Sequence, residues 1–257
     1  MAPILRSEKK IIIAALGLLA GFLIGAAGIG GVILVPSLVY LAGAPIHAAI
    51  SGAMLSYILT GLIGTFLYAK AKFIRWDMAG WLFAGAIPAA LAGAFAAYFA
   101  PGALLQAVIA FLAAISGVHT LFFHSDTEAS SVHSISNPVL ALAGAVTGFA
   151  SALTGTGGPL VLVPLLLWLG SPVLTAIGLA QAIQLPVSLA ATAGNFYNGN
   201  LDLRLGGLLA VGMPLGIWLG SKLARALPRP ALQCAISLLL ITAGVLVLSQ
   251  VTMHLIP

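Results

Sequence analysis

Two apolar stretches of this chain are each too long to cross a bilayer once as a straight helix, and the same glycine element interrupts both. Residues 11–42 contain Gly28-Ile29-Gly30-Gly31, and residues 138–170 contain Gly155-Thr156-Gly157-Gly158. The elements lie 127 residues apart, counted from Gly30 to Gly157, and an apolar run holding a proline, Pro36 or Pro164, follows each. A straight helix of that length would measure roughly 48 Å, whereas about 20 residues span a hydrocarbon core. Such a segment has to break. Glycines, which cost about 1 kcal/mol each relative to alanine inside a helix, mark where. Glycine-broken segments at matching places in two halves of a membrane chain point to a binding site.

Composition decides the solvent. Of 257 residues, 61% are hydrophobic and 6% charged, and the mean hydropathy is +1.16. A water-soluble domain carries about a quarter charged residues, so most of this surface has to face lipid. The net charge of +5 is no nucleic-acid footprint. Its cations form short clusters beside apolar runs: Arg6, Lys9, Lys10; Lys70, Lys72, Arg75; Lys222, Arg225, Arg229. That is the pattern of topology signals and headgroup contacts. The single cysteine, Cys234, excludes an intrachain disulfide and reads as a small buried apolar side chain.

The glycine elements belong to a duplication of the whole chain. At the offset of 127, Gly43 meets Gly170, Pro45 meets Pro172, Ala49 meets Ala176, and Thr65 meets Thr192. Gly93 meets Gly220, Pro101 meets Pro228, and Gln106 meets Gln233. Ungapped agreement along both halves exceeds what a Gly- and Ala-rich composition produces. The basic N-terminus followed by Ile11 to Ala27 imitates a signal peptide. Gly17, Gly21 and Phe22 recur as Gly144, Gly148 and Phe149 in mid-chain, however, so the segment reads as retained structure.

The expected fold is an all-α polytopic membrane protein: two homologous four-span repeats, about eight transmembrane helices, with the first helix of each repeat broken at GxGG. The spans fall at about 11–42, 46–69, 77–99 and 103–123, then at about 138–170, 173–196, 204–226 and 231–253. The expected organisation is a cytoplasmic N-terminus over 1–10, a first repeat over 11–124, a linker over 125–137 and a second repeat over 138–257. Eight spans put Arg6, Lys9, Lys10, Lys70, Lys72, Arg75 and Arg204 inside, against Lys222, Arg225 and Arg229 outside. If each broken segment is instead a re-entrant hairpin, each half has odd parity and the repeats are inverted. The cations then sort about six to four.

The half-helices that restart at Val32 and Pro159 present uncapped N–H groups and the positive end of a helix dipole, which together suit an anion. Thr154 and Thr156 flank the second break. On the following segment Gln181, Gln184 and Ser188 share one helical face, and their first-half counterparts are Met54, Tyr57 and Gly61. The expected substrate-binding set is Gly28, Gly30, Gly31, Tyr57, Thr154, Thr156, Gly157, Gly158, Gln181 and Gln184. The competing reading is close helix packing for the glycines and interhelical hydrogen bonding for the polar side chains. Close packing suits Gly17, Gly21, Gly25, Gly144 and Gly148.

No Asp or Glu lies deep in a span, so no cation site or carboxylate proton relay is evident. There is no Walker A motif, no HExxH and no metal-spaced His/Cys cluster. The expectation is a non-enzyme with no catalytic residues, no metal and no cofactor. Its partners would be a small anionic substrate and membrane lipid, with no nucleic acid; homodimerisation is open.

From Gly21-Phe22 to Pro36 and from Gly148-Phe149 to Pro164, the chain resembles the TauE/SafE family, the sulfite exporter or toluene-sulfonate uptake permease family. The duplicated unit, the Gly-rich opening segment and the Gly199 to Asp202 turn carry the resemblance. The first half departs from that turn with Lys72-Phe73-Ile74-Arg75, so any role of the acidic residue carries over to Asp202 alone. The resemblance implies a multi-pass transporter of the prokaryotic plasma (inner) membrane, moving sulfur oxyanions or organosulfonates such as sulfite or sulfoacetate. On this reading it is a secondary transporter, exporting by alternating access between the repeats. An anion channel and a non-transporting intramembrane binding protein or enzyme are the alternatives.

Overall fold

The computed structural model describes residues 7–27, 30–122 and 135–226, together with residues 238 and 242. These form the helices α1 (Ser7–Ala27), α2 (Gly30–Tyr40), α3 (Ile46–Lys70), α4 (Trp76–Phe99) and α5 (Gly102–Phe122). They continue with α6 (Asn137–Thr154), α7 (Pro159–Trp168), α8 (Val173–Tyr197) and α9 (Leu203–Ala226). Hydrocarbon offers no water to the backbone, so an apolar run inside it closes its hydrogen bonds internally, as helix. Among the described residues six helices, α1, α3, α4, α6, α8 and α9, are long and apolar enough to cross a bilayer. The helix ends repeat the offset of 127: α3 and α8 begin and end at equivalent residues, as do α4 and α9. The expected last span, 231–253, falls outside the described residues except at Leu238 and Thr242.

The course of the chain corrects the expectation of one discontinuous span per leading segment. α1 ends at Ala27 and α2 starts at Gly30, yet a Cβ on Gly30 would sit on the carbonyl oxygen of Ala20. Just beyond the other end of α2, the Ala42 carbonyl accepts a hydrogen bond from Lys9 Nζ, near the start of α1, at 3.4 Å. α2 therefore runs back along α1. The second copy turns the same way, because Gly158, which precedes α7, stands beside Thr147 of α6. The physical reason is local. Gly155, Gly157 and Gly158 take φ values of 73°, 82° and 112°, and that left-handed run reverses the chain where a proline would only kink it. α2 and α7 have 11 and 10 residues, roughly 16 Å of helix, about half a hydrocarbon core.

Contacts along the helices fix their directions. Tyr68 Oη, near the end of α3, donates to the Gly25 carbonyl near the end of α1 at 2.9 Å, so α1 and α3 point the same way. α3 and α8 cross antiparallel: Gly61 packs on the backbone of Gln184 and Leu185, and Gly64 packs on Gln181. Sequence-equivalent helices that run in opposite directions are the mark of inverted repeats, related by an axis in the membrane plane.

The halves also interlock. Gly17, Gly21 and Gly25 of α1 meet the backbone of Leu209, Met213 and Ile217 in turn, so α1 and α9 lie parallel at glycine distance. Gly144 and Gly148 of α6 meet Leu82 and Ala86 of α4 in the same manner. These are small-residue helix contacts, as expected at those glycines. One consequence concerns charge. Lys9, Lys10 and Arg204 share one face of the bundle, while Lys70, Lys72, Arg75, Lys222 and Arg225 share the other.

Candidate functional site

The two glycine breaks meet at the centre of the bundle. A Cβ on Gly31 would fall on the carbonyl oxygen of Thr156, and one on Gly155 would press on Val35 of α2 and Ile50 of α3. Gly157 lies against the ring of Tyr57, 2.9 Å from Cδ2 at the position its own Cβ would take. From Gly158, a Cβ would reach Ile183 at 3.3 Å, Thr147 at 3.9 Å and the Cα of Gln184 at 4.0 Å. Gly30, Gly31, Gly157 and Gly158 are thus brought to one locus with Tyr57 and Gln184. Gly28 lies outside the described residues.

Polar side chains surround this locus, and all are shut away from solvent. Tyr57, Thr147, Ser151, Thr154, Gln181 and Gln184 are 0% exposed and Thr156 is 2% exposed. No Asp, Glu, Lys, Arg or His is among the described buried residues. Buried polar atoms are costly unless partnered, so their hydrogen bonds sort structural residues from available ones.

Gln181 is a helix cap. Its Nε2 donates to the Ile24 carbonyl at 2.6 Å, one of the last four carbonyls of α1, which have no partner inside their own helix. The backbone carbonyl of Gln181 shares the Thr65 Oγ1 proton, at 3.2 Å, with the nearer Gly61 carbonyl. Tyr68 caps the neighbouring Gly25 carbonyl, so α1 ends inside the bundle with its carbonyls served by α3 and α8. The threonines at the second break serve the break itself. Thr154 Oγ1 donates to the Ala150 carbonyl at 2.6 Å, which leaves Thr156 as the donor in the 3.0 Å contact between the two hydroxyls. Both hydroxyl protons are thus engaged within the break itself.

Around the breaks Tyr57 Oη, Thr147 Oγ1, Ser151 Oγ and the amide oxygens of both Gln181 and Gln184 are buried without a hydrogen-bond partner among the described residues, and toward the end of α8 so are Thr192 Oγ1, Asn195 Nδ2 and Asn198 Nδ2. Gln184 is oriented by its other end: Nε2 donates to Thr60 Oγ1 at 3.0 Å, and Thr60 donates in turn to the Tyr57 carbonyl. Thr147 and Ser151 are absent from the set the sequence suggested. Their signal was present, since Thr147, Ser151 and Thr154 stand at i, i+4 and i+7 on α6. Their first-half counterparts, Ala20, Ile24 and Ala27, are apolar.

At the bundle's two faces the charged turns lie apart. Arg75 pairs with Asp77 within one turn, lining a cleft of about 410 Å³. On the opposite face His47, Asp202 and Arg204 line a cleft of about 440 Å³. Asp202 acts there as the cap of α9, its Oδ1 accepting the N–H of Arg204 at 3.0 Å and of Leu205 at 2.9 Å.

Apolar helices around a closed, uncharged polar centre, entered by two reversed half-helices, define a multi-pass membrane protein with a buried polar site. The family model for the sulfite exporter TauE/SafE matches residues 13–247, and the chain belongs to that family. It is 27% identical over 246 residues to "Probable membrane transporter protein YunE" of Bacillus subtilis (strain 168), covering 85% of this chain and 88% of that protein. It is 23% identical over 253 residues to "Probable membrane transporter protein MJ0441" of Methanocaldococcus jannaschii, covering 90% of this chain and 94% of that protein. No solved structure matches.

Proposed function

We propose that this protein is a secondary transporter of small anions in a prokaryotic plasma membrane, with sulfur oxyanions or organosulfonates as its substrate class. The family and the names of its relatives support transport. One observation carries the anion reading: the two breaks converge on buried hydroxyls and amides with no charged side chain among the described buried residues. Neutral donors and a helix N-terminus stabilise an oxyanion without the desolvation cost of a buried cation. Because α1 packs on α9 and α6 on α4 at glycine distance, alternating access around the centre moves interlocked groups drawn from both repeats against each other. The closed centre supports an alternating mechanism over an open pore. Export is the favoured direction, because an interior-negative potential drives each anionic charge outward by about 2.3 kcal/mol per 100 mV. No coupling carboxylate is then required.

The test is flux from proteoliposomes loaded with sulfite, sulfoacetate, other sulfonates, sulfate or simple carboxylates. Saturable efflux of the sulfur anions, accelerated by a potential negative on the loaded side, is expected. Folded protein that moves none of these anions sinks the reading.

A further inference from the structure

Hydroxyls inside helices usually bond the carbonyl one turn back, and in this protein most do. Ser51, Ser56, Thr60, Thr65, Thr154, Ser188 and Ser221 each donate to a carbonyl three or four residues earlier. Thr192 on α8 does not, and neither do Thr147 and Ser151, which are both 0% exposed and share one face of α6 beside the second break. With Tyr57 they put three unengaged hydroxyl donors around the second break.

Gln184 adds a group of opposite character. The Thr60 hydroxyl has one proton and gives it to the Tyr57 carbonyl, so toward Gln184 its oxygen can only accept. That fixes the amide with Nε2 on Thr60 and leaves Oε1, an acceptor alone, buried and unpartnered on a residue whose Cα borders Gly158; Gln181 Oε1, one turn earlier on α8, is a second such acceptor. A fully deprotonated oxyanion has nothing to offer either oxygen. Closing over such an ion would leave a buried carbonyl facing negative charge.

Resting on the anion-transport reading, we infer that the site selects monoanions that bring their own hydrogen-bond donor. The anion oxygens accept from Tyr57, Thr147 and Ser151, while a ligand O–H donates to Gln184 Oε1. Two chemistries supply that pattern: a hydrogen oxyanion, in which one acid oxygen keeps its proton, and an organic sulfonate with a hydroxyl group. Dianions and donor-free sulfonates are poor substrates. Gln184 sets this specificity, and the α6 hydroxyls make the C-terminal half the tighter-binding one.

The decisive comparison is 2-hydroxyethanesulfonate against 1-propanesulfonate, which differ by one hydroxyl in place of a methyl. Purified protein should be stabilised against heat by the first at concentrations where the second has no effect. Proteoliposome efflux should favour the first by about tenfold or more. Sulfite reports on the other source, since its efflux should rise as pH falls and follow the hydrogen form rather than the dianion. Gln184→Met should bring the sulfonate ratio close to one and remove the preference for hydrogen sulfite, whereas Ser188→Ala, one turn further along α8 with its hydroxyl already on the Leu185 carbonyl, should leave both intact. Equal handling of the two sulfonates by the wild-type protein, with sulfite efflux following the dianion, overturns the inference while leaving anion transport standing. Absence of all flux overturns the transport reading instead, and the thermal comparison then decides the selectivity independently. Because both selectivities are read on the wild type, a Gln184→Met variant that fails to fold changes nothing.

Discussion

Gly31 and Thr156, 125 positions apart in sequence, stand backbone against backbone: the space a Cβ would need on Gly31 is filled by the Thr156 carbonyl oxygen. The contact joins the two glycine breaks directly, so movement of either reversed helix is felt by the other. Gly31→Ala drives a methyl into a rigid backbone atom, and overpacking of that kind costs about 1–3 kcal/mol. We expect Gly31→Ala to insert in the membrane, melt earlier in a detergent thermal scan, and lose at least most of the anion flux. Gly80→Ala and Gly207→Ala, where nothing lies within 4 Å, should match wild type in both measurements. Normal flux in Gly31→Ala would show that the meeting of the breaks has no part in transport.

Gln181 separates structure from recognition. Its amide holds the Ile24 carbonyl at the buried end of α1. Gln181→Leu leaves that carbonyl unpartnered in an apolar interior, at a cost of about 1–3 kcal/mol. The expected phenotype is a lower melting temperature with unchanged relative rates among substrates. A change in substrate preference without loss of stability would return Gln181 to the binding site.

The glycine ladder between α1 and α9 tests the interlocked halves. Gly21 lies on the Met213 backbone at the middle of a contact that Gly17 and Gly25 continue on either side. Gly21→Val must push the helices apart over their whole length, because both sides of the contact are backbone. Monodisperse protein on size-exclusion chromatography should fall sharply for Gly21→Val and equally for Gly148→Val, its counterpart against Ala86 on α4. Full recovery of either variant would mean that the pairs are not tight in the membrane.

The sequence made the breaks legible because glycine pairs in an apolar run have few other uses, and the duplication because an offset needs no geometry. The reversal of α2 along α1 was open, since a kink and a hairpin place the same residues at the same break. Only contacts such as Gly30 with Ala20, and Lys9 with Ala42, distinguish them. Similarly, Gln181 and Gln184 look alike three positions apart on one face. They part company through what they meet, a helix-end carbonyl in one case and a hydroxyl already engaged in the other. Thr147 and Ser151 had the right spacing, but a helical hydroxyl normally satisfies itself, and its failure to do so cannot be read from sequence.

Reversal of the leading helices also changes the orientation that the charges favour. Counted over eight spans, the cations favour a cytoplasmic N-terminus. In the folded chain Lys70, Lys72, Arg75, Lys222 and Arg225 gather on the face opposite Lys9, Lys10 and Arg204, five against three among the described residues. The positive-inside rule then assigns the Lys72 face to the cytoplasm and the start of α1 to the outside. Cysteine labelling in a Cys234→Ser background reads this directly. Ala71→Cys, in the turn after α3, should be protected from a membrane-impermeant maleimide in intact cells and react after permeabilisation. Asn200→Cys, in the turn after α8 on the other face, should react in intact cells. Both substitutions keep every charge, so the topology signal is not altered by the probe. The reverse pattern would put the Lys9 face inside, and labelling of both positions from one side would contradict the antiparallel course of α3 and α8.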